Sequence, residues 1–323
     1  MQEWQIKYPR GFADTADPLF FVKTYKPEPM NEKEIWKKAG KLTIAIQKSG
    51  RLSEKSLQLL TEAGIGLSNG SRKLVSRSPD FPLEALYLRD DDIPQYVFDG
   101  VADVGIVGEN VVAEKDRGVE TVEKLGFASC RLSLAVPRAV DYTGPAWFSG
   151  KRVATSYPRI LQKYLYEQKI NSEIHEISGS VEISPGIGLA DSIFDIVSSG
   201  STLISNGLKE VEVVMHSEAV LIARPGLDPD KQKILEKLLF RLRAVMRSRN
   251  NKYILLNAPN DKIEEISGIL PGIKSPTVMP LADPGWSSLH SVVNENEFWE
   301  VIDRLKEHGA QGILVIPIEK MIV

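Results

Sequence analysis

The chain has 323 residues, 42% hydrophobic and 26% charged, which is ordinary for a globular protein and leaves room for two or three domains. Forty basic against 43 acidic residues give a net charge of −3, so no overall basic field recruits nucleic acid. One cysteine excludes an intramolecular disulfide, and no apolar run approaches the roughly 20 residues that span a bilayer. We therefore predict a cytoplasmic protein without nucleic-acid or membrane partners.

The first 29 residues differ in pattern from the rest, and a more regular segment begins at Met30. Prolines and a glycine interrupt any periodicity, and the one apolar patch, at 19–22, is too short for a secretory signal. We predict a poorly ordered N-terminal extension over residues 1–40, without a catalytic role.

From Lys41 onward, apolar runs of strand length alternate with amphipathic segments of helix length, which is typical of an α/β architecture. The first helix is expected to be capped by Ser53 and ended by Gly64. The predicted strands are 42–46, 101–107, 152–155 and 194–197, and the predicted helices are 52–63 and 160–168.

Loops that follow the strands are candidates for a ligand site, because ligands of open α/β sheets bind beyond the carboxyl ends of the strands. Four such loops are 47–51, 108–110, 155–158 and 198–202. The strand-like segments 130–136 and 217–223 bracket the part of the chain that contains the last loop. We expect a hinge there, with two lobes and a cleft between them.

The stretch 191–203 places two carboxylates, a buried strand and a hydroxyl-rich glycine turn in succession. The N–H groups of a turn that opens a helix attract a phosphate, and Asp191 and Asp195 could accept hydrogen bonds from ribose hydroxyls. This order suits a sugar phosphate. An ordinary Ser/Thr helix cap after a buried strand explains the same residues.

The C-terminal part changes pattern after a charged helix at 229–249. It then runs as strand 253–257, helix 261–270, strands 277–281 and 287–293, helix 295–308 and strand 312–316. This βαββαβ order is typical of a ferredoxin-like module. Because it carries no obvious chemistry, we predict an accessory or sensing domain.

Seven segments together are specific enough to indicate a family, which they resemble in the right order: ATP phosphoribosyltransferase, the enzyme that opens histidine biosynthesis. The resemblance runs from residue 42 to the end, and its C-terminal part, including 317–321, is similar to the long, self-regulated form. The segments are 47–52, 88–94, 103–110, 130–135, 154–158, 179–182 and 191–203.

The resemblance implies a fold and its division. A two-lobed, periplasmic-binding-protein-like catalytic region should be followed by a ferredoxin-like regulatory domain. Lobe I is expected to comprise 41–130 and 214–226, lobe II 131–213 with the phosphate loop, and the regulatory domain 227–323.

The resemblance also implies a reaction. N1 of the adenine of ATP attacks C1 of phosphoribosyl pyrophosphate (PRPP) and displaces pyrophosphate, with Mg²⁺ on the pyrophosphate. Displacement at an anomeric carbon builds oxocarbenium character, so the site must hold the ribose and stabilise the leaving group. No covalent enzyme intermediate is required.

Site roles follow by segment. Three of these assignments have an alternative: Asp92 also suits a helix cap, Tyr157 also suits an ordinary half-buried tyrosine, and Lys48 with Arg51 also suit a solvated surface pair. The expected catalytic residues are Lys48, Arg51, Asp191 and Asp195; the PRPP phosphate ligands are Ser198, Ser199, Gly200, Ser201 and Thr202; the ATP ligands are Arg51, Asp90, Asp91, Glu109, Tyr157 and Glu182; the magnesium ligands are Asp90 and Asp91.

For the C-terminal module, the long form implies feedback inhibition by histidine bound between regulatory domains of neighbouring subunits, in a homo-oligomer with dimeric and hexameric states. Met279 and Leu281 also suit a strand core. The expected histidine pocket comprises Thr277, Met279, Leu281, Ala282, Ser288 and His290.

Two rival functions remain open at this point. A two-lobed solute-binding protein would have a similar pattern, although an export signal is lacking and a basic pair accompanies the phosphate-type loop. A non-catalytic regulatory paralogue would share the motifs without turnover.

Overall fold

The computed structural model describes residues 40–67, 74–270, 272 and 275–322. Except for Gly40, the predicted N-terminal extension lies outside the described residues. Within them the chain forms three sheets, and no helix in these ranges is long and apolar enough to cross a bilayer.

The first sheet has the strand order β2-β3-β1-β4-β11-β5. Its central strand pairs in parallel with both neighbours and is almost wholly buried, as a continuous apolar run predicts. Its strands are β1 (Leu42–Gln47), β2 (Val75–Arg77), β3 (Leu83–Leu88), β4 (Val104–Gly108), β5 (Glu120–Lys124) and β11 (Ala219–Ala223). Its helices are α1 (Arg51–Glu62), α2 (Ile93–Phe98) and α3 (Glu109–Lys115).

The second sheet has the order β10-β6-β9-β7-β8. The strand predicted over 217–223 is present as β11 but begins two residues later, because the chain divides at Glu218: Ser217 ends β10 in this sheet and Ala219 begins β11 in the first. Glu218 is thus the point of return. The strands are β6 (Cys130–Pro137), β7 (Arg152–Thr155), β8 (Glu173–Glu176), β9 (Ser192–Val197) and β10 (Leu208–Ser217), with helices α4 (Pro158–Glu167) and α5 (Ser201–Ser205).

The long helix α6 (Pro229–Arg249) leads to the third sheet, and it begins at a cap where the Asp228 carboxylate accepts from the Asp230 N–H at 2.9 Å. The predicted βαββαβ order is confirmed, and the antiparallel order β13-β14-β12-β15 is that of a ferredoxin-like module. The elements are β12 (Asn251–Pro259), α7 (Ile263–Ile269), β13 (Thr277–Pro280), β14 (Trp286–Asn294), α8 (Glu295–Glu307) and β15 (Gln311–Pro317).

The ends of α1 show one wrong and one confirmed prediction. Ser53 does not cap the helix: it is buried inside it, and Gly50, at φ 97°, is the residue before its first turn. Gly64 does end the helix, at φ 74°, and the Ile65 N–H reaches back to the Leu60 carbonyl at 2.9 Å. That backward bond satisfies a carbonyl of the last turn, and glycine adopts the positive φ at no steric cost.

Candidate active site

The four predicted loops follow the carboxyl ends of β1, β4, β7 and β9. Since β1 and β4 run parallel, as do β7 and β9, two loops lie at one edge of each sheet. The edges meet at a hydrogen bond that Asn110, in the first turn of α3 directly after β4, donates to the hydroxyl of Tyr157, which follows β7, at 3.1 Å. The loops at these edges of the two sheets therefore line one cleft.

A second contact joins the sheets beside this bond. The Glu114 carboxylate of α3 accepts from the N–H groups of Arg159 and Ile160 at 2.9 and 3.0 Å, so it caps α4 of the other sheet. Asp116 pairs with the Arg159 guanidinium at 2.6 Å. The sequence analysis did not predict Glu114, Asp116 or Arg159. Glu114 could have been found, because its spacing of four places it on the same helix face as Asn110.

Asp195 lies near the carboxyl end of β9, half-buried at the cleft. It accepts from the Ser156 hydroxyl at 3.4 Å and from the Ile196 N–H at 2.8 Å. Burial first of all, and then the negative charge of Glu182, raise the pKa of Asp195 to about 6, although the hydrogen bonds from Ile196 and Ser156 lower it. Glu182 thus acts on Asp195 through its charge.

Tyr157 is held in the same place as a neutral phenol. Burial raises its pKa first of all, and the negative charges of Asp195, Asp90 and Asp91 raise it further. Those carboxylates are therefore close enough to act on the phenol through space. The structure gathers predicted residues of both sheets around Tyr157.

The phosphate-type loop occupies the predicted position between β9 and α5. Gly200 lies at φ 79° directly before the helix, and the hydroxyls of Ser199 and Ser201 are 2.9 Å apart. The helix has only five residues, so its macrodipole is small. Attraction of an anion here depends on individual N–H and hydroxyl groups.

The predicted catalytic role of Asp191 is wrong. Asp191 precedes β9, so the six-residue strand separates it from the loop that follows β9. Its carboxylate instead accepts from the Arg152 backbone N–H at 2.8 Å and pairs with the guanidinium at 3.4 Å. These contacts, the backbone bond first, hold its pKa below the ordinary value. Asp191 thus links the N-terminal ends of β7 and β9, opposite to the ends that carry the loops.

The remaining predicted residues of the first sheet lie at its cleft edge. Lys48 and Arg51 are exposed at the end of β1, where the Lys48 N–H donates to the Leu88 carbonyl at 2.8 Å. Glu109 opens α3 and pairs with Lys124 at 3.2 Å. These side chains surround the end of the sheet.

The carboxylates at 90–92 form a single 3₁₀ turn after β3. Asp92 makes no side-chain cap to α2, so the capping alternative fails, and Asp91 lies 3.7 Å from Lys115. Across the described ranges no cluster of three or more His, Cys, Asp or Glu side chains is arranged to hold a metal ion. A cation here would need ligands from a substrate as well as Asp90 and Asp91.

The predicted histidine-pocket residues lie on the outer face of the third sheet. Thr277 faces His290, and Met279, which is 52% exposed, faces Ser288, so Met279 is not strand core. One ring nitrogen of His290 lies 2.7 Å from the Tyr253 hydroxyl and the other 3.1 Å from that of Ser288. The remaining two, Leu281 and Ala282, follow β13 and are exposed. The sequence analysis missed Tyr253 because β12 neighbours β14 in the sheet but is distant from it in sequence.

Comparison with known proteins decides the family. Residues 89–244 match the family model for ATP phosphoribosyltransferase, and residues 248–320 match the model for the HisG C-terminal domain. A relative from Cytophaga hutchinsonii named ATP phosphoribosyltransferase is 61% identical over 281 residues, covering 87% of this chain and 98% of its own. The chain belongs to the ATP phosphoribosyltransferase family.

Further relatives agree with this membership. An ATP phosphoribosyltransferase of Bacteroides thetaiotaomicron is 58% identical over 282 residues, covering 87% of this chain and all (100%) of its own. The ATP phosphoribosyl transferase (HisG:HisZ) complex from Thermotoga maritima contains a chain of similar structure, at TM-score 0.56 and 28% identity, covering 64% of this chain and 98% of that one.

ATP phosphoribosyltransferase membership confirms the resemblance and the predicted fold class. The chain is a phosphoribosyl-transferring enzyme of histidine biosynthesis, EC 2.4.2.17, in the long form that carries the C-terminal domain. The rival interpretation as a solute-binding protein is therefore wrong.

Proposed function

We propose that the cleft between the first and second sheets joins ATP to PRPP, so that adenine N1 displaces pyrophosphate from C1 and phosphoribosyl-ATP forms. One observation carries the proposal. Asp195 and the loop at 198–202 adjoin each other at the cleft edge, next to Tyr157 and its bond to Asn110 of the other sheet. A sugar phosphate needs both groups side by side.

The PRPP half of the site would use Asp195 and the loop after it. Backbone N–H and hydroxyl groups of the loop bind the 5-phosphate, and the Asp195 carboxylate accepts hydrogen bonds from ribose hydroxyls. The loop donors are Ser198, Ser199, Gly200, Ser201 and Thr202. Held at both ends, the ribose presents C1 in a fixed orientation, which lowers the entropic part of the barrier.

The leaving group would be bound from the first sheet. Lys48 and Arg51 are exposed at the carboxyl end of β1, where Gly50 turns the backbone between them. The guanidinium of Arg51 can hold two pyrophosphate oxygens at once, and the Lys48 ammonium adds a point charge. Both stabilise the negative charge that develops as the C1–O bond breaks.

The nucleotide would lie along the shared cleft edge. Tyr157 is a neutral donor, since its raised pKa keeps the phenol protonated. Glu109 and Glu182 are acceptors suited to the ribose or the adenine amino group, and Arg51 with Asp90 and Asp91 lies toward the phosphates. Adenine N1 is already a nucleophile, so the residues orient it and need not activate it.

Magnesium fits this arrangement as a substrate-borne ion. Two adjacent carboxylates, Asp90 and Asp91, suit a cation that keeps several waters and takes its other oxygens from phosphates. When bound, the ion neutralises charge on the pyrophosphate.

The lobes of this cleft follow the sheets. The expected bounds, 41–130 with 214–226 for lobe I and 131–213 for lobe II, shift by a few residues: we propose lobe I as 41–129 with 219–226, lobe II as 130–217 and the regulatory domain as 227–323, with the return crossing at Glu218. That placement is supported by β10, which stays in the second sheet through Ser217.

We further propose that histidine inhibits the enzyme by binding on the outer face of the third sheet, between subunits. The expected pocket there is polar around His290, while the apolar side chains of Met279, Leu314 and Ile316 on the same face are 41–52% exposed. Such a face marks an interface with another subunit. The Thermotoga maritima relative is itself part of a complex.

The test is a turnover assay in which ATP, PRPP and Mg²⁺ are mixed with the full chain and the ultraviolet absorbance of the modified adenine is followed. We expect a rising trace, and free histidine should suppress it. Thr202→Val should raise the KM for PRPP about tenfold by removing a phosphate ligand, while Ser205→Ala, one turn further along α5, should not. A flat trace with the unaltered chain would contradict the proposed reaction.

A further inference from the structure

The phosphate-type loop has little to hold its shape from within. Ser198 and Ser199 are exposed, and the helix that follows is one short turn of five residues. A phosphate is bound tightly only where the N–H donors already point at it before it arrives. The restraint on this loop must therefore come from neighbouring strands.

Arg131, on β6, supplies such a restraint. Its Nη1 donates to the Ser198 carbonyl oxygen at 3.1 Å. That carbonyl belongs to the same planar peptide unit as the N–H of Ser199, and in a trans peptide the two point in opposite directions. Drawing the carbonyl toward Arg131 therefore turns the Ser199 N–H away from the sheet and toward the loop's open side.

The guanidinium is itself fixed by a carboxylate on β10. Glu210 accepts from Arg131 Nε at 2.5 Å and from Nη2 at 2.6 Å, so one edge of the fork is fully used and Nη1 is left for Ser198. The Ser133 hydroxyl holds the same carboxylate at 2.7 Å. The register of β10 against β6 shifts just after Glu210, at the point where its side chain turns toward Arg131.

Charge distinguishes this arginine from a phosphate ligand. Glu210 neutralises it at close range, and the hydrogen bond from Arg131 is the main reason why the pKa of Glu210 lies below its ordinary value. Three of its five N–H donors are occupied in this way, two by the Glu210 carboxylate and one by the Ser198 backbone carbonyl.

We propose that Arg131, clamped by Glu210, is a positioning residue that orients the Ser198–Ser199 peptide so that the Ser199 N–H points at the 5-phosphate of PRPP. The inference rests on the proposed function of this loop. Lysine cannot replace the arginine, because a single ammonium cannot reproduce the planar fork that grips Glu210 and still reaches Ser198.

Three variants test the role: Arg131→Lys, Glu210→Gln and, as a matched control, Arg243→Lys, whose guanidinium pairs with Glu123 at 2.6 Å away from the loop. Each is assayed for the KM of PRPP and of ATP, for binding of ribose 5-phosphate and of pyrophosphate by calorimetry, and for its melting temperature. Ribose 5-phosphate reports on the loop and on Asp195, and pyrophosphate on the opposite sheet.

We expect Arg131→Lys to raise the KM for PRPP and to weaken ribose 5-phosphate binding about tenfold, the effect of one charge-assisted bond, with Glu210→Gln changing both in the same direction. The KM for ATP, pyrophosphate binding and the control should stay within about twofold. Equal losses for both substrates that follow the melting temperature would overturn the proposal in favour of a structural role.

Thr202→Val separates this inference from the proposed function. If Thr202→Val weakens ribose 5-phosphate binding and the Arg131 and Glu210 variants do not, only the positioning role is wrong. If none of them alters that binding, the loop is not the phosphate site and both proposals are wrong. Should Arg131→Lys fail to fold, Glu210→Gln alone decides.

Discussion

Asp195 shows how position alone sets the chemistry of a single residue. Its neighbours at the cleft favour the neutral acid by burial and by the charge of Glu182, whereas a ligand hydroxyl favours the carboxylate. Folding therefore raises its proton affinity, so its contribution to stability is full below the ordinary pKa of 3.8 and is lost as the pH rises through about 6. Above about pH 6 the residue is therefore the carboxylate that ribose hydroxyls need, and that form is the one which costs stability.

We expect Asp195→Asn to be more stable than the unaltered chain at pH 7.5, with the difference vanishing near pH 4, as measured by chemical denaturation. The same variant should raise the KM for PRPP about tenfold. In the unaltered chain the KM should rise as the pH falls below about 6, because Asp195 becomes protonated, and in the variant this rise should be absent. The titration of PRPP itself is common to both proteins and cancels in the comparison. Equal pH dependences of the KM in both would rule out Asp195 as the ribose acceptor.

Asp191 differs from Asp195 in its place in the fold. It stands four residues before Asp195 in the sequence, and the two share one pattern of aspartates around a buried strand. A strand rises about 3.3 Å per residue, so residues at its two ends cannot serve one small ligand. Sequence proximity was misleading for Asp191, because β9 begins between the two aspartates.

The long helix α6 is tied to the first sheet by an ion pair whose carboxylate, Asp103, is buried, while the Lys231 side chain is 32% exposed. Lys231 Nζ lies 2.7 and 2.8 Å from the two carboxylate oxygens of Asp103, which is 1% exposed and also accepts from the Thr43 N–H at 2.9 Å. Removing one partner leaves a buried charge without compensation. The bond fixes the start of the long helix against β1 and β4.

Asp103→Ala should lower the free energy of unfolding by about 3 kcal/mol, because Lys231 and the Thr43 N–H both lose their acceptor. Urea denaturation measures it. Lys233→Ala is the control, since Lys233 pairs with Asp230 in solvent on the same helix, and its midpoint should not move. Similar midpoints for the two variants would show that this ion pair contributes nothing.

Gly105 lets α2 approach β4 closely. A Cβ at this position would lie 2.6 Å from Ile93 Cγ2 and 3.1 Å from Val97 Cγ2, both in a packed helix. Gly105→Ala should therefore lower the free energy of unfolding by about 1–3 kcal/mol. Gly268→Ala, in α7 with open space around it, should raise it by a few tenths to about 1 kcal/mol, and the opposite order would contradict this packing.

Elements with strong periodicity were predictable, and those without it were not. The apolar runs of β1, β7 and β9 and the alternation in the C-terminal module predicted strands close to their observed positions. β5, with the sequence ETVEK, escaped because an exposed edge strand carries no apolar face. The prediction that Ser53 caps α1 was wrong because the sequence alone does not distinguish a serine buried inside a helix from one that caps it.

For the whole molecule, the least predictable features are contacts between distant parts. The bond from Asn110 to Tyr157 joins the sheets across 47 residues of sequence, and Tyr253 meets His290 across 37. No local pattern reports such pairs. They appear only when the strand order brings the elements together.

The outer face of the third sheet predicts association. Leu314→Lys should weaken self-association and histidine inhibition together while uninhibited turnover is kept, because the apolar face would carry an unpaired charge. Sedimentation velocity measures the first effect. Trp299→Lys is the matched control, since Trp299 is 65% exposed on the helical side of the same module. Loss of association by the control alone would place the interface on the helices.

The proposed reaction depends most on one site, the loop after β9, which binds the 5-phosphate. The most direct measurement is a crystal structure of the full chain with PRPP. We predict the 5-phosphate within hydrogen-bond distance of the backbone N–H groups of residues 199–202, with Asp195 on the ribose hydroxyls and Lys48 and Arg51 on the pyrophosphate. PRPP bound elsewhere, with this loop facing solvent, would contradict it.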